Sequence, residues 1–347
     1  MTGFSLQNGT PYNKIDFPDG ARLESDERII IASDFVKFTN SYPNYDTSKL
    51  IVHSLLQLEN EGDSIQLINQ FNNVVFNFSY TDSLPWKRAA DGTGRTMELK
   101  ESEFANFRLP ESWITSCMYG TPGEAHSLCD EPLVISEINY KPSSITGEWF
   151  ELYNNGNATL NLNGFFFKDS KNDNIYTITS DLYLESGEFL VISADTNLFH
   201  RIHQPIKNVI GNFNYSLSND NEVIRVYNSN EVILYSVWYD DNNGWPIEAD
   251  GQGKTLESFG FSGDVNEGVN WFVGCPLGSP GWPYKVECYW GEEYDCLSEA
   301  EFYFNSTTAM LEVQLPYLDC DGLFFHLVDA KGAAVKAEVK KEEVKKG

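Results

Sequence analysis

Trp245-Pro-Ile-Glu-Ala-Asp250-Gly-Gln-Gly253-Lys-Thr255-Leu-Glu257 decides how this chain is organised, because it occurs twice. Trp86-Lys-Arg-Ala-Ala-Asp91-Gly-Thr-Gly94-Arg-Thr96-Met-Glu98 lies 159 residues earlier, with the same Trp, Asp, two Gly, Thr and Glu. A basic residue precedes each Thr (Arg95 and Lys254). The register runs back without a gap to Leu58 and Leu217, pairing Ile65 with Ile224, Asn69 with Asn228 and Tyr80 with Tyr239. After a one-residue slip it resumes downstream. Trp113 then falls on Trp271, Cys117 on Cys275, and Gly120-Thr-Pro-Gly123 on Gly278-Ser-Pro-Gly281. A repeat of this length sets the domain count.

Working outward, residues 1–124 form a first repeat, 125–132 a short linker and 133–284 a complete second repeat. Residues 285–347 differ and end in the Lys-rich, low-complexity stretch from Lys336. Within each repeat, short apolar runs alternate with Gly, Asn and Asp clusters, which is the pattern of strands and turns. Ile29–Asp34 matches Phe189–Asp195 as a buried strand that ends at Asp. Leu55–Leu58 and Ile65–Ile68 are expected to form a hairpin around Asn60–Asp63, with Val74–Phe78 as the next strand. The stretch Asp195–Gln204, closed by Pro205, is expected to be a loop with one helical turn. Abundant Phe (23) and Tyr (18) lean the same way. The fold class is therefore all-β: two immunoglobulin-like antiparallel β-sandwiches in tandem plus a small C-terminal β region.

The second repeat opens on two strands, Leu133–Tyr140 and Glu148–Tyr153, for which the first has no counterpart. A sandwich short of two strands exposes a sheet edge. This suggests an N-terminal truncation, with Met1 not the natural start.

The formal charge of −27 repels a phosphate backbone, so nucleic acid is not an expected partner. Hydrophobic residues at 41% supply real cores, and no run of 18 apolar residues spans a membrane. The six cysteines contain no Cys-x-x-Cys pair, which argues against a zinc ribbon. The repeat places Cys117 and Cys275 in equivalent positions, each followed 12 or 13 residues on by another, Cys129 and Cys288. Pairing Cys117 with Cys129 and Cys275 with Cys288 leaves Cys296 with Cys320. Each short loop closed in this way is worth about 3 kcal/mol, and the pattern implies an oxidising compartment.

Several residues invite a chemical role. Glu137, Glu148 and Glu151 suggest a carboxylate pair. Strand alternation sets Glu151 on the face of Trp149 and Glu148 on the other, which points to Glu151 being tied to a neighbouring turn rather than to catalysis. Asp250, with Asp240 and Asp241 nearby, could supply oxygen ligands to calcium, although the spacing is not that of an EF-hand loop. A structural Asp-Gly-x-Gly turn is the alternative for Asp91 and Asp250. Trp86 and Trp245 are expected to cover a core edge, and His200 and His203 lack a third metal ligand. No cofactor is required by any motif, and no Ser-His-Asp order, phosphate loop or dinucleotide fingerprint is present.

Three stretches of the second repeat resemble the bacterial form of the lamin tail domain: Val134-Ile-Ser-Glu137-Ile-Asn139, Glu148-Trp-Phe-Glu151-Leu-Tyr-Asn154 and Leu160-Asn-Leu-Asn-Gly-Phe165. The Leu217–Glu222 hairpin, Trp245 through Gly253 and the closing Gly278-Ser-Pro-Gly281 extend the resemblance, and the first repeat carries its later half. The resemblance implies an immunoglobulin-like sandwich that is not itself catalytic, of the kind appended to exported proteins. Tyr303-Phe-Asn305-Ser-Thr307-Thr308-Ala and Leu327-Val-Asp329-Ala-Lys-Gly332 resemble the sorting domain of the type IX secretion system, with Phe304, Ser306 and Ala309 in place of that family's two prolines and glycine. This implies secretion machinery as a partner.

The expectation is an acidic, secreted or cell-surface protein that is not an enzyme. It would act as a spacer, adhesin or attachment module toward a protein or glycan, with calcium as a candidate aid. The alternative is the non-catalytic end of a larger secreted nuclease or phosphatase. A third expectation, a metal-dependent hydrolase, would need Glu137 or Asp250 for turnover.

Overall fold

The computed structural model describes residues 2–9, 13–54, 57–100, 106–143, 147–203, 206–258, 260–261 and 263–283, together with the backbone of 301–305 and 310–314. The chain is built of short strands in mainly antiparallel sheets. The first half contains β1 (Ser5–Asn8), β2 (Asn13–Asp16), β3 (Ile30–Ala32), α1 (Phe35–Ser41) and β4 (Leu50–Val52). It continues with β5 (Gly62–Ile68), β6 (Val74–Thr81), β7 (Arg95–Leu99) and β8 (Trp113–Met118). The second half opens with β9 (Leu133–Asn139), β10 (Trp149–Asn154), β11 (Leu160–Asn161), β12 (Phe166–Lys168), β13 (Ile175–Thr177) and β14 (Tyr183–Leu184). After these come β15 (Phe189–Ser193), α2 (Thr196–Ile202), β16 (Val209–Gly211), β17 (Asn221–Tyr227) and β18 (Ile233–Asp240). The last elements are β19 (Leu256–Ser258), β20 (Trp271–Val273) and a two-stranded hairpin, β21 (Glu301–Asn305) with β22 (Met310–Gln314).

In the second half, a six-stranded sheet in the order β16-β15-β10-β9-β19-β20 faces a four-stranded sheet β13-β12-β17-β18. The strands alternate, so Ile135, Ile138, Phe150, Leu152, Leu190, Ile192 and Leu256 point inward from the first sheet. They meet Phe167, Ile224, Val226, Tyr235, Val237 and Tyr239 from the second, and this closed core is almost fully withdrawn from water. It is an immunoglobulin-like β-sandwich.

The first half repeats this wiring with two strands left out. Its sheet β2-β1-β5-β6 corresponds to β13-β12-β17-β18. The registers agree as well: Ser5 opposes Asp16 as Phe166 opposes Thr177, and Ile65 opposes Phe78 as Ile224 opposes Val237. The parallel pair β3-β4 corresponds to β15-β16, with Ile30 on Leu50 as Val191 is on Val209. The pair β7-β8 corresponds to β19-β20. Among the described residues nothing stands where β9 and β10 join the ribbons in the second half.

The structure corrects two local expectations. Asp195–Gln204 holds a capped two-turn helix, α2, and Asp34 starts its counterpart α1 in the first half. In each, the Asp side chain accepts from the backbone N–H three residues on (Lys37 and Leu198, both 2.9 Å). Seven residues are too few to display a helical period in sequence. The hairpin turn also lies elsewhere: β5 and β6 meet at Asn69–Asn73, and Asn60–Asp63 leads into β5. Asn69 Oδ1 accepts from Phe71 N and Asn73 N and so closes that turn. Likewise Leu217–Glu222 leads into β17, and the turn to β18 lies at Asn228–Val232.

Cys117 and Cys129 form the expected disulfide. Cys275 is disulfide-bonded too. Its expected partner Cys288, the pair Cys296 and Cys320, and most of the sorting-domain motif lie outside the described residues.

Candidate functional site

Three neighbouring strands bring Glu151, Glu137 and Glu257 side by side. Glu137 opposes Glu151 across β9 and β10, and opposes Glu257 across β9 and β19. A bulge in β9 lets Ser136 and Glu137 together face Glu151. The row lies on the outer face of the six-stranded sheet, beside Trp149, and all three side chains are buried. What buries them is the loop Gly278-Ser-Pro-Gly281. Ser279 N donates to Glu137 Oε1 at 3.1 Å, Ser279 Oγ to Glu257 Oε2 at 3.0 Å, and Gly281 N to Glu151 Oε2. Thr255 Oγ1 donates to Glu137 Oε1, and Ser136 Oγ to Glu151 Oε1 at 2.7 Å. Glu151 is thus tied to a turn, as strand alternation implies. Glu148, on the opposite face, is half-buried and accepts from Leu217 N at 2.9 Å.

Burial dominates the electrostatics of the row. It pushes Glu151 up to about 8 and Glu257 up to about 7, against the lowering effect of their hydrogen bonds. Burial, and then the carboxyls of Glu257 and Glu151, raise Glu137 well above the usual carboxylate range. Side-by-side carboxyls hold protons because two buried charges in contact are too costly. The first repeat offers a control. Glu98 is the counterpart of Glu257, and among the described residues no carboxyl perturbs it. Burial raises it, but hydrogen bonds from Thr121 N (2.7 Å), Thr121 Oγ1 (2.9 Å) and His126 Nδ1 (3.1 Å) outweigh this and hold it below its ordinary value.

Beside the row opens a small cleft of roughly 260 Å³, where Tyr153, Phe261 and the exposed Trp282 meet the carboxyls. The other singled-out residues are held elsewhere. Asp240 is buried and accepts from Asn242 N (2.9 Å) and Asn243 Nδ2 (3.1 Å), with Arg88 Nη1 3.6 Å away. Asp241 accepts from Asn242 Nδ2, and Asp250 pairs with Lys141. Cations and amides therefore face these three carboxylates. Among the described residues no three His, Cys, Asp or Glu side chains are grouped to hold a metal ion. The glycines of both Asp-Gly-x-Gly turns take positive φ (Gly92 65°, Gly94 84°, Gly251 71°, Gly253 75°). Trp86 packs on Trp113 and Trp245 on Trp271, each covering a core edge. His203 wedges between Trp149 and Phe199, where burial pushes its imidazole down to about 4, so it serves as a packing residue.

Sequence patterns did not foreshadow the contact between the two halves. Arg95, the basic residue of the repeated motif, is buried and bidentate to Glu131 at 3.0 Å on both oxygens. It also donates to Ser116 O (3.1 Å) and to Ser236 O of β18 (2.9 Å), and lies over the ring of Tyr235. Thr115 N donates to Asp264 Oδ2 at 2.9 Å, Tyr119 Oη to Ile233 O at 2.7 Å, and Lys87 pairs with Glu267. The only hint in the sequence is that position 95 is Arg where its counterpart 254 is Lys. A planar fork suits a buried carboxylate and an ammonium does not.

Residues 130–241 match the lamin tail domain family. The match takes in β9 to β18, hence Glu137 and Glu151, and ends before Glu257 and the loop that covers the row. No curated protein matches the chain. Among the described residues no helix is long and apolar enough to cross a membrane.

Proposed function

From the match of residues 130–241 to the lamin tail domain family, we propose that this chain is a structural or binding module without catalytic activity, working outside the cell or on its surface as a spacer or attachment unit. The observation that carries this is the use of the carboxyl row. Glu137, Glu151 and Glu257, the residues most like a hydrolytic pair, are covered by backbone and hydroxyl donors of 278–281. Hydrolysis by paired carboxyls needs room for a substrate and a water between them. The Cys117–Cys129 disulfide supports an oxidising compartment, and the fixed contact between the halves suits a spacer. We assign residues 1–124 to an incomplete copy of the same domain, 125–132 to the linker and 285–347 to a region of sorting-domain ancestry. Protein or glycan is the proposed partner class, and the aromatic rim of Tyr153, Phe261 and Trp282 would suit the face of a sugar ring or an apolar side chain.

The test is twofold. Purified chain is incubated with chromogenic phosphodiester, phosphomonoester and glycoside substrates, with and without divalent cations. No turnover beyond that of Glu137→Gln is expected, and turnover abolished by that substitution would overturn the assignment. Fractionation of the producing cells is expected to recover the chain from medium or envelope, with the disulfide formed. Recovery from the cytosol would overturn the location.

A further inference from the structure

The chain contains the pairs Asn8-Gly9, Asn155-Gly156, Asn163-Gly164 and Asn243-Gly244. An Asn-Gly pair is chemically labile. The glycine nitrogen, once it gives up its proton to base, attacks Cγ of the asparagine side chain, and no Cβ obstructs the approach. A bond forms between that nitrogen and Cγ, the Cγ–Nδ2 bond breaks, and ammonia leaves. Water then opens the five-membered succinimide at either carbonyl and yields aspartate or isoaspartate. Only water and base are needed, provided that the nitrogen and the side chain are free to meet. The sequence gives these pairs equal standing, and the fold separates them.

Three of them are held. Asn8 is 3% exposed, and its Nδ2 donates to Asp63 Oδ2 (2.6 Å) and to Gln57 O. Gly156 N donates to Pro132 O (3.0 Å) and Asn154 Oδ1 (3.1 Å), while Asn155 Nδ2 donates to Glu131 O (3.1 Å). Gly164 N donates to Ile178 O (2.9 Å), and Asn163 Nδ2 to Asp181 Oδ1 (3.1 Å). A nitrogen whose proton is committed to an acceptor has to be released before it can react. Asn243 and Gly244 differ: both are exposed in the turn after β18, and Gly244 N has no hydrogen-bond partner among the described residues. A Cβ at position 244 would meet nothing within 4 Å, so the surroundings of this glycine are open. The counterparts in the first half are Leu84 and Pro85, which offer neither a side-chain amide nor a backbone N–H.

The side chain of Asn243 also carries a contact. Its Nδ2 donates to Asp240 Oδ2 at 3.1 Å, and Asp240 is 4% exposed, with Arg88 of the first half 3.6 Å away. Conversion to aspartate replaces that donor with a second carboxylate beside a buried one. Conversion to isoaspartate also lengthens the backbone of the turn that leads into Trp245.

We propose that Asn243 is the residue at which the folded chain deamidates, and that the product weakens the turn holding Asp240 at the contact with the first half. This stands independently of the function proposed above.

The full chain is aged in mildly alkaline buffer, native and in urea, and mapped by peptide mass spectrometry. In urea the Asn-Gly pairs are expected to react at similar rates, since nothing holds them. In the folded chain Asn243 should lead Asn8, Asn155 and Asn163 by at least about tenfold, the factor that about 1.4 kcal/mol of local opening imposes on a held pair. Two variants of equal charge change then test the consequence. Asn243→Asp reproduces one product beside the buried Asp240, whereas Asn163→Asp does the same beside the exposed Asp181. Asn243→Asp is expected to melt below Asn163→Asp, which should stay close to the wild type. A folded chain in which Asn155 or Asn163 keeps pace with Asn243 would overturn the assignment of the site. The same order of rates persisting in urea would also overturn it, because the fold would then have no part in the choice. Equal melting of the two variants would overturn the effect on the turn.

Discussion

Arg95 shows what one residue decides at the contact between the halves. Its guanidinium meets Glu131 with side chains 2% and 8% exposed, so neither charge has water to fall back on. Arg95→Ala leaves Glu131 buried without a counter-charge, bonded only by Met118 N at 2.9 Å, and is expected to cost about 3–5 kcal/mol, read from urea denaturation. Arg95→Lys should recover only part of this, since an ammonium does not reproduce the two parallel bonds. The carboxyl row makes a second prediction at this scale. The folded chain holds Glu257 and Glu151 at about 7 and about 8, against 4.5 for a free glutamate. Between those values the folded state binds more protons than the unfolded one, so stability falls as pH rises. The stabilisation is fully present below the unfolded value and is lost as pH rises through the folded ones. His203 acts in the opposite sense between its ordinary 6.5 and about 4, because the unfolded chain takes up the proton first. Above about pH 6.5 the carboxyls therefore act unopposed, and Glu222, pushed by burial up to about 7, adds to them. The denaturation midpoint is expected to drop between about pH 6.5 and about pH 9. Glu151→Gln should flatten that slope and exceed the wild type at the alkaline end.

At the scale of single elements, two glycines of equal backbone conformation separate strain from contact. Gly278 has φ 80°, and a Cβ there would stand 2.1 Å from Glu137 Oε1 and 3.0 Å from the Trp149 ring. Gly187 has φ 77° with nothing within 4 Å of the same position. Gly187→Ala should lose only the strain of a left-handed residue, about 1 kcal/mol. Gly278→Ala must also lift the covering loop off the carboxyl row, and is expected to cost at least about 2 kcal/mol more. Thermal melts of the two variants decide this, and equal losses would mean that the loop yields easily. The helix caps give a smaller effect. Asp195→Ala removes the acceptor for Leu198 N at the start of α2 and is expected to cost about 1 kcal/mol. The capping Asp was visible in the sequence as the end of a strand. Of the helix after it only one turn was expected, because two turns are too short for a period and α2 is held by the packing of Phe199 on Trp149.

At the scale of the whole molecule, the two halves have the same wiring and unequal cores. Amide hydrogen exchange in dilute solution is expected to protect β10, β9 and β15 close to the global limit, and to leave β3 and β7 of the first half far less protected. Equal protection would mean that the partial exposure of β3 and β7 costs the first half nothing. The repeat itself was legible without coordinates. Trp, Gly and Cys at matched spacing survive as a pattern because turns, core edges and disulfides each need those residue types, and from them followed the strands, the all-β sandwich and the Cys117–Cys129 bond. That residues 1–124 hold no counterpart of β9 and β10 was legible in the same way, since an internal alignment shows it directly. Tertiary structure alone decided which charges meet. Glu257 joins Glu137 and Glu151 only when β19, distant in sequence, lies beside β9, and Arg95 finds Glu131 only when the halves dock. A local pattern records the conformation a segment favours by itself, whereas the energy of a buried charge depends on every group that surrounds it, and those neighbours are supplied by the fold.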